Sequence, residues 1–168
     1  MDVMQAIKER RSIRKYQDRP VEEKVLTEIL EAARLAPSAN NRQDWRFVAV
    51  KDREQIDKLV SATGQSFIGT APIVIAGVAL NPERVMRCEV PAYAVDVAIA
   101  MTNITLAATA NGLGTCWIGS FDQAEVKRIL KIPEEYKVVQ LMPLGYPDEK
   151  PEVRSRKPLA EVVSYDNF

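Results

Sequence analysis

The longest apolar segment of the chain, "AYAVDVAIAMTNITLAATAN" from Ala92 to Asn111, constrains the fold more than any other feature. Its length favours a helix, and Gly112 directly after it is typical of a helix C-terminus. The segment is apolar nearly all round, so it must be covered on most sides. Two arrangements meet that requirement: a central core helix, or a helix covered partly by a second subunit. Asp96 within it is costly to bury unpaired, so we expect it to have a partner or to face solvent.

The other segments alternate between helical and extended patterns without a regular βαβ repeat. Four further helices are predicted. The first is capped by Asp2 and has Val3, Met4 and Ile7 on its apolar face. The others are "VEEKVLTEILEAARLA", "REQIDKLVSA" and "QAEVKRILKI", the last of which is capped by Asp122. The predicted strands are "WRFVAVKD", "PIVIAGVAL", "YKVVQLMPLGYP" and the short "GTCWIGSF". We therefore expect one domain over residues 1–168, of α+β class or a three-layer sandwich with a mixed sheet. The tail after Pro147 contains a strand-like "EVV" without a local partner.

Composition excludes several kinds of chemistry. The 168 residues contain no histidine and only two cysteines, Cys88 and Cys116. A Ser-His-Asp site, a His-ligated zinc and an iron–sulfur cluster are therefore excluded within one chain, and we expect no metal site. "GLGTCWIG" follows a helix and leads into a strand, the reverse of a dinucleotide-binding fingerprint. An enzyme of this composition takes its chemistry from a cofactor. Two cysteines are too few for a disulfide scaffold, so we expect reduced thiols and a cytoplasmic protein. The N-terminus lacks the order of a signal peptide, and we expect no contact with a membrane.

A basic run, "ERRSIRKYQDR" from Glu9 to Arg19, stands out because Lys+Arg and Asp+Glu are equal in number, 23 each. It has three interpretations: a solvated helix end, a nucleic-acid patch, or a phosphate site. Neutrality of the whole chain and the lack of interleaved aromatic residues disfavour nucleic acid. Arginine forks and a hydroxyl, here Arg10, Arg14 and Ser12, are the groups that bind phosphate through charge-assisted hydrogen bonds. A second cluster, "RSRKP" near the C-terminus, can converge on the same anion.

Four motifs in order carry a family resemblance: "RRSIRKY", "LAPSANNRQDWRF", "GLGTCWIGSFD" and "RSRKPLAEVV". Together they resemble the nitroreductase family of FMN-dependent oxidoreductases over essentially the whole chain. The resemblance implies a three-layer α-β-α sandwich with a mixed, mainly antiparallel sheet, and a homodimer in which a tail strand is exchanged between subunits.

The resemblance also implies a set of FMN-binding residues. Arg10, Arg11, Ser12 and Arg14 match the segment that holds the phosphate and ribityl chain, and Arg154 with Arg156 matches a basic tail pair at the phosphate. Pro37, Ser38, Ala39 and Asn41 match a loop that reaches the flavin of the other subunit. Ile118 and Gly119 match a segment whose backbone N–H groups lie at the flavin N5 and O4 edge. Gln65 is a candidate for the flavin pyrimidine, where Gly64 and Phe67 replace the Asn and Lys of larger members.

The implied activity is an FMN-dependent oxidoreductase. NAD(P)H would reduce bound FMN and leave, and a nitroaromatic, quinone or similar flat acceptor would follow in a ping-pong cycle. Within the same resemblance, an FMN-binding sensor or store without turnover, and specialised flavin chemistry such as reductive dehalogenation or flavin fragmentation, stay open. The segment "NPERVMRCEVPAY" from Asn81 to Tyr93 is expected to be a loop that could cover the substrate.

Overall fold

The computed structural model describes residues 1–168. The helices are α1 (Val3–Glu9), α2 (Glu23–Arg34), α3 (Arg53–Thr63), α4 (Ala92–Ala110) and α5 (Gln123–Leu130), and the strands are β1 (Trp45–Val50), β2 (Ile73–Ala79), β3 (Gly114–Thr115) and β4 (Lys137–Gly145). Short 3₁₀ helices cover Ala39–Asn41, Ser66–Thr70 and Leu159–Glu161. The side chains of Asp2 and Asp122 accept hydrogen bonds from backbone N–H groups of α1 and α5, so both predicted caps are confirmed.

The four strands form one sheet in the order β1-β2-β4-β3, and each neighbouring pair is antiparallel. A single parallel bridge joins Ser12 to Thr115 of β3. The predicted mixed, mainly antiparallel sheet is confirmed. The N-terminal segment after α1 thus lies at the β3 edge of the sheet.

Helices cover both faces of this sheet. Along β2 the side chains alternate, with Ile73 and Ile75 in the core shared with α2 and α4, and Val74 and Ala76 in the core shared with α3 and α5. Every residue of β2 is therefore buried, which explains its continuous apolar sequence. A Cβ on Gly77 would lie 2.9 Å from Val97 Cγ1, so this glycine permits the close approach of α4. The result is the predicted three-layer α-β-α arrangement.

Helix α4 is the core helix that the sequence predicts. Val97, Met101 and Ile104 are fully buried against the sheet, and Gly112 follows with φ +73° in the left-handed region. By length and composition alone α4 resembles a membrane span, but here it packs against the sheet, α1 and α2. Asp96 is buried and accepts a hydrogen bond from the backbone N–H of Ala39, at 3.0 Å, so its expected partner exists.

Two terminal segments expose apolar side chains. The predicted apolar face of α1 is exposed, since Val3, Met4 and Ile7 are 70%, 58% and 48% accessible and only Ala6 is buried. The "EVV" segment of the tail forms a 3₁₀ turn and no strand in the single chain, because no sheet edge lies beside it to supply backbone partners. Exchange of this tail with a second subunit stays a prediction.

Candidate functional site

The segment that carries the basic run is fixed to the sheet through its backbone. The Ile13 N–H donates to the Thr115 carbonyl at 2.9 Å, next to the Ser12–Thr115 bridge. A Cβ on Gly114 would lie 2.4 Å from Ile13 Cγ1, so only glycine allows this contact. The Tyr16 hydroxyl donates to the Ile13 carbonyl at 2.8 Å in a buried position. These contacts place Ser12 at the open edge of β3.

The tail returns to the same edge. The Asp148 N–H donates to the Lys15 carbonyl at 2.9 Å, and the two side chains form an ion pair at 2.7 Å. The Arg14 N–H donates to the Glu149 carboxylate, and the Gln17 amide donates to the Pro147 carbonyl. This ladder brings the chain that follows Pro147 beside the basic run.

A strongly basic cavity of about 510 Å³ lies between these two segments. Ser12 contributes a hydroxyl to its wall, and the only anionic side chain in the wall is Glu152. The cationic side chains of the wall are Lys8, Arg10, Arg11, Arg14, Arg154 and Arg156. The structure therefore brings together all six predicted residues of the basic run and the tail pair. Lys8 was missed by sequence reasoning, although it lies on the last turn of α1, where a cation also complements the helix dipole.

The arginine side chains of the cavity differ in the contacts they make within the chain. Arg11 donates to the carbonyls of Lys8 and Arg10, at 2.7 and 2.9 Å, so its guanidinium also caps the C-terminus of α1. The Arg14 guanidinium lies over the Phe67 ring, 5.9 Å from its centroid, and its side chain donates no hydrogen bond within the chain. Arg14 is thus oriented by an aromatic face, with its donors open to a ligand.

The cavity is flanked by a cysteine that is not activated. Burial raises the pKa of the Cys116 thiol, and the nearby Arg14 charge and Ser12 hydroxyl only partly offset this. Burial likewise raises the pKa of the Tyr16 phenol. Because a thiolate is the reactive form, Cys116 behaves as a small buried residue and not as a nucleophile.

Two adjacent backbone donors in the segment after β3 differ in whether they are paired within the chain. The Ile118 N–H donates to the Leu141 carbonyl at 2.9 Å, so this predicted donor is already paired within the chain, and its contact with a flavin stays a prediction. The Gly119 N–H makes no backbone hydrogen bond, Gly119 is exposed, and a Cβ there would meet no atom within 4 Å. Along β4, Thr115 pairs with Leu144 and Ile118 with Leu141, so the Ile118 bridge lies roughly 10 Å along the strand from the Thr115 position that Ser12 bridges.

The predicted loop residues Pro37, Ser38, Ala39 and Asn41 do not line the basic cavity. Ala39 contacts Asp96 near the start of α4. Helix α1 instead packs near the C-terminal end of α4, beside Ala107. At 1.5 Å per residue these two points are about 16 Å apart along the helix. Gln65 also lies outside the cavity, at the start of the 3₁₀ helix that carries Phe67. The loop and the cavity of one chain therefore form separate parts of the surface.

Comparisons with known proteins agree with this architecture. The model of the Nitroreductase family matches residues 7–71 and 62–146. A protein of Methanothermobacter thermautotrophicus, whose name proposes an NADH dehydrogenase or NAD(P)H nitroreductase, is 40% identical over 166 residues, covering 92% of this chain and 82% of the relative. An FMN reductase (NAD(P)H) of Bacillus subtilis is 30% identical, over 99% of this chain and 74% of the relative. A solved FMN-dependent nitroreductase of Clostridium difficile superposes with a TM-score of 0.87 at 31% identity, covering 98% of this chain and 99% of that structure.

The α-β-α sandwich is of α+β class, and the similarity to NAD(P)H nitroreductases and flavin reductases shows an enzyme of the oxidoreductase class. The chain belongs to the nitroreductase family. The predicted family, fold and enzyme class are confirmed.

Proposed function

We propose that the protein is an NAD(P)H-dependent flavin oxidoreductase that binds FMN and reduces nitroaromatic, quinone or similar flat acceptors. The observation that carries the proposal is the convergence of the "RRSIR" segment and the Arg154–Arg156 tail on one cavity. The names of the relatives support both flavin and NAD(P)H as the redox partners.

The residues present fit FMN. A phosphate dianion requires several cationic donors and tolerates few anions, and the cavity offers Arg10, Arg14 and their neighbours against Glu152 alone. Gly119 follows the Ile118 bridge, which lies roughly 10 Å along the sheet edge from Thr115, and it offers an unpaired N–H and room for a flat ring to approach its backbone. An elongated ligand with a phosphate at one end and a ring system at the other matches this spacing.

Bound FMN would supply the hydride-transfer chemistry between NAD(P)H and the acceptor, and we propose ping-pong order for the two substrates. The chain's own part is binding and orientation. Arg10, Arg14, Arg154 and Arg156 would hold the phosphate and Ser12 would add a hydroxyl. The Gly119 N–H would be a donor for the ring. No side chain needs to act as a nucleophile, which agrees with the absence of histidine and with the raised pKa of the Cys116 thiol.

The proposal includes a cytoplasmic homodimer. The exposed apolar face of α1, the exposed tail side chains Leu159, Val162 and Tyr165, and the position of the Pro37–Asn41 loop away from the cavity of its own chain all support it. In the dimer this loop would complete the flavin site of the partner subunit.

The test begins with the purified protein and its visible spectrum. We expect a yellow protein that NAD(P)H bleaches in the absence of oxygen, and re-oxidation by some members of an anaerobic acceptor panel. A yellow protein that neither nicotinamide bleaches would favour the sensor or store. A colourless protein that cannot be reconstituted with FMN would overturn both.

A further inference from the structure

The loop of Pro37–Asn41 is held in an unusual conformation. Asn40, Asn41 and Gln43 have φ values of 57°, 52° and 57°, in the left-handed region that side chains other than asparagine and glycine seldom adopt. Such a backbone persists where surrounding contacts determine it. One of these contacts is local, since the Ser38 hydroxyl accepts from the Gln43 N–H at 3.0 Å.

Two charged side chains from elsewhere in the chain hold the Ala39 peptide groups. Asp96 of α4, 5% exposed, accepts from the Ala39 N–H at 3.0 Å. Arg84 donates from Nη1 to the Ala39 carbonyl at 3.3 Å. Both backbone polar groups of one loop residue are therefore bound by ionisable side chains, a stronger restraint than neutral hydrogen bonds provide.

Arg84 is itself anchored and charge-balanced. Its side chain is 20% exposed, and its Nη1 lies 3.8 Å from Asp44 Oδ2, a buried oxygen without a hydrogen-bond partner. Its carbonyl accepts from the Ala92 N–H at the start of α4, and beyond it the segment folds back as Val85 pairs with Pro91. The expected covering loop from Asn81 to Tyr93 thus projects one side chain, Arg84, from its base onto the Pro37–Asn41 loop.

We propose that Arg84, with Asp44 balancing its charge, is a positioning residue that keeps Ser38 and Asn41 in the orientation that binds the flavin of the partner subunit. This inference rests on the proposed function. It assigns a role to the Asn81–Tyr93 segment besides covering the substrate: its base fixes the loop that the other subunit needs.

The first test measures loop order without flavin. In the apo-protein, Arg84→Met should speed amide hydrogen exchange in peptides spanning residues 36–44 by about tenfold, the loss expected for one charge-assisted hydrogen bond. Arg84→Lys, which keeps the charge and one donor, should restore most of the protection. The matched control is Arg87→Met, because Arg87 lies in the same segment, is exposed and makes no ion pair. Equal exchange in Arg84→Met and Arg87→Met would overturn the proposal.

The second test measures FMN affinity in co-expressed, differently tagged heterodimers. One subunit carries Arg14→Ala and the other Arg84→Met. Under the proposal, each flavin site combines the basic run of one subunit with the Pro37–Asn41 loop of the other. The Arg14→Ala basic run and the loop loosened by Arg84→Met then belong to the same site. The second site is intact and should bind one equivalent of FMN with wild-type affinity. If Arg84 acts only within its own subunit, each site has one defect and no wild-type site remains, which would overturn the proposal.

The outcome for the wild-type homodimer separates the two hypotheses. A wild-type protein that binds no FMN would refute the proposed function and the Arg84 role together. A wild-type protein that binds FMN, with an Arg84→Met homodimer that binds it equally well, would refute the Arg84 role alone. If Arg84→Met does not fold, Arg84→Lys and Asp44→Asn replace it, with expected losses of about threefold in place of tenfold.

Discussion

Arg14 is the residue of the basic cavity whose replacement tests the phosphate assignment most directly. Its contribution to the fold is made by its backbone, since its N–H binds Glu149 and the preceding Ile13 N–H binds Thr115. Its guanidinium is exposed and donates no hydrogen bond within the chain. Arg14→Ala should therefore remove a ligand contact while leaving the segment in place.

The magnitude follows from the type of bond and from its exposure. A hydrogen bond to a charged group contributes about 1.5–3 kcal/mol, and exposure to solvent and salt moves the value for Arg14 toward the lower end. About 1.4 kcal/mol corresponds to a tenfold weaker Kd for FMN. Lys8, Arg10, Arg154 and Arg156 remain in the cavity, so binding should be weakened and not abolished.

The assay is titration of apo-protein with FMN, followed by flavin fluorescence at two salt concentrations. Arg14→Ala should weaken binding about tenfold at low salt and less at high salt, because the lost interaction is screened. The control is Arg128→Ala, which removes a cation of α5 that is paired with Glu125 outside the cavity. Equal affinities for wild type, Arg14→Ala and Arg128→Ala would refute the phosphate assignment and return the basic run to a solvated helix end.

Three further predictions follow from the same geometry. Gly119→Val should leave the stability of the apo-protein unchanged, because a Cβ at this position meets no atom within 4 Å. The same variant should reduce the rate at which NAD(P)H bleaches bound FMN in stopped-flow experiments, and a wild-type rate would place the ring elsewhere. Gly114→Ala should lower the free energy of unfolding by about 1–3 kcal/mol in urea, since the new methyl would overlap Ile13, and an unchanged midpoint would contradict the described packing. Deletion from Pro158 onward should yield aggregates or monomers with little FMN, although Arg154 and Arg156 remain. The full-length protein is the control in sedimentation, and if it is a monomer that keeps its flavin on dilution, the interface assignment is refuted.

Much of the fold follows from short-range patterns in the sequence. The sequence patterns correctly predict all five helices and the segments that contain the four strands. Asp2, Asp122 and Gly112 mark helix ends because capping depends on residues within one turn. The basic residues of the site were also predicted, since charge clusters and motif order are visible without coordinates.

The sequence did not predict which surfaces stay open. The apolar face that the sequence assigns to α1 is largely open, since Val3, Met4 and Ile7 are exposed and only Ala6 is buried. Periodicity identifies an apolar face, whereas burial depends on what the remaining chain places against it.

The site combines both kinds of information. The residue types that bind phosphate are determined by the sequence alone, as is the absence of histidine chemistry. Only the tertiary structure decides that Lys8 joins the cavity and that the Ile118 N–H is occupied by Leu141 while Gly119 stays free. It likewise places Arg84, far along the chain, on the Ala39 carbonyl. The physical reason is range: propensity and capping act between near neighbours, whereas the partner of a given N–H or guanidinium depends on strand register and helix packing, which join residues many positions apart.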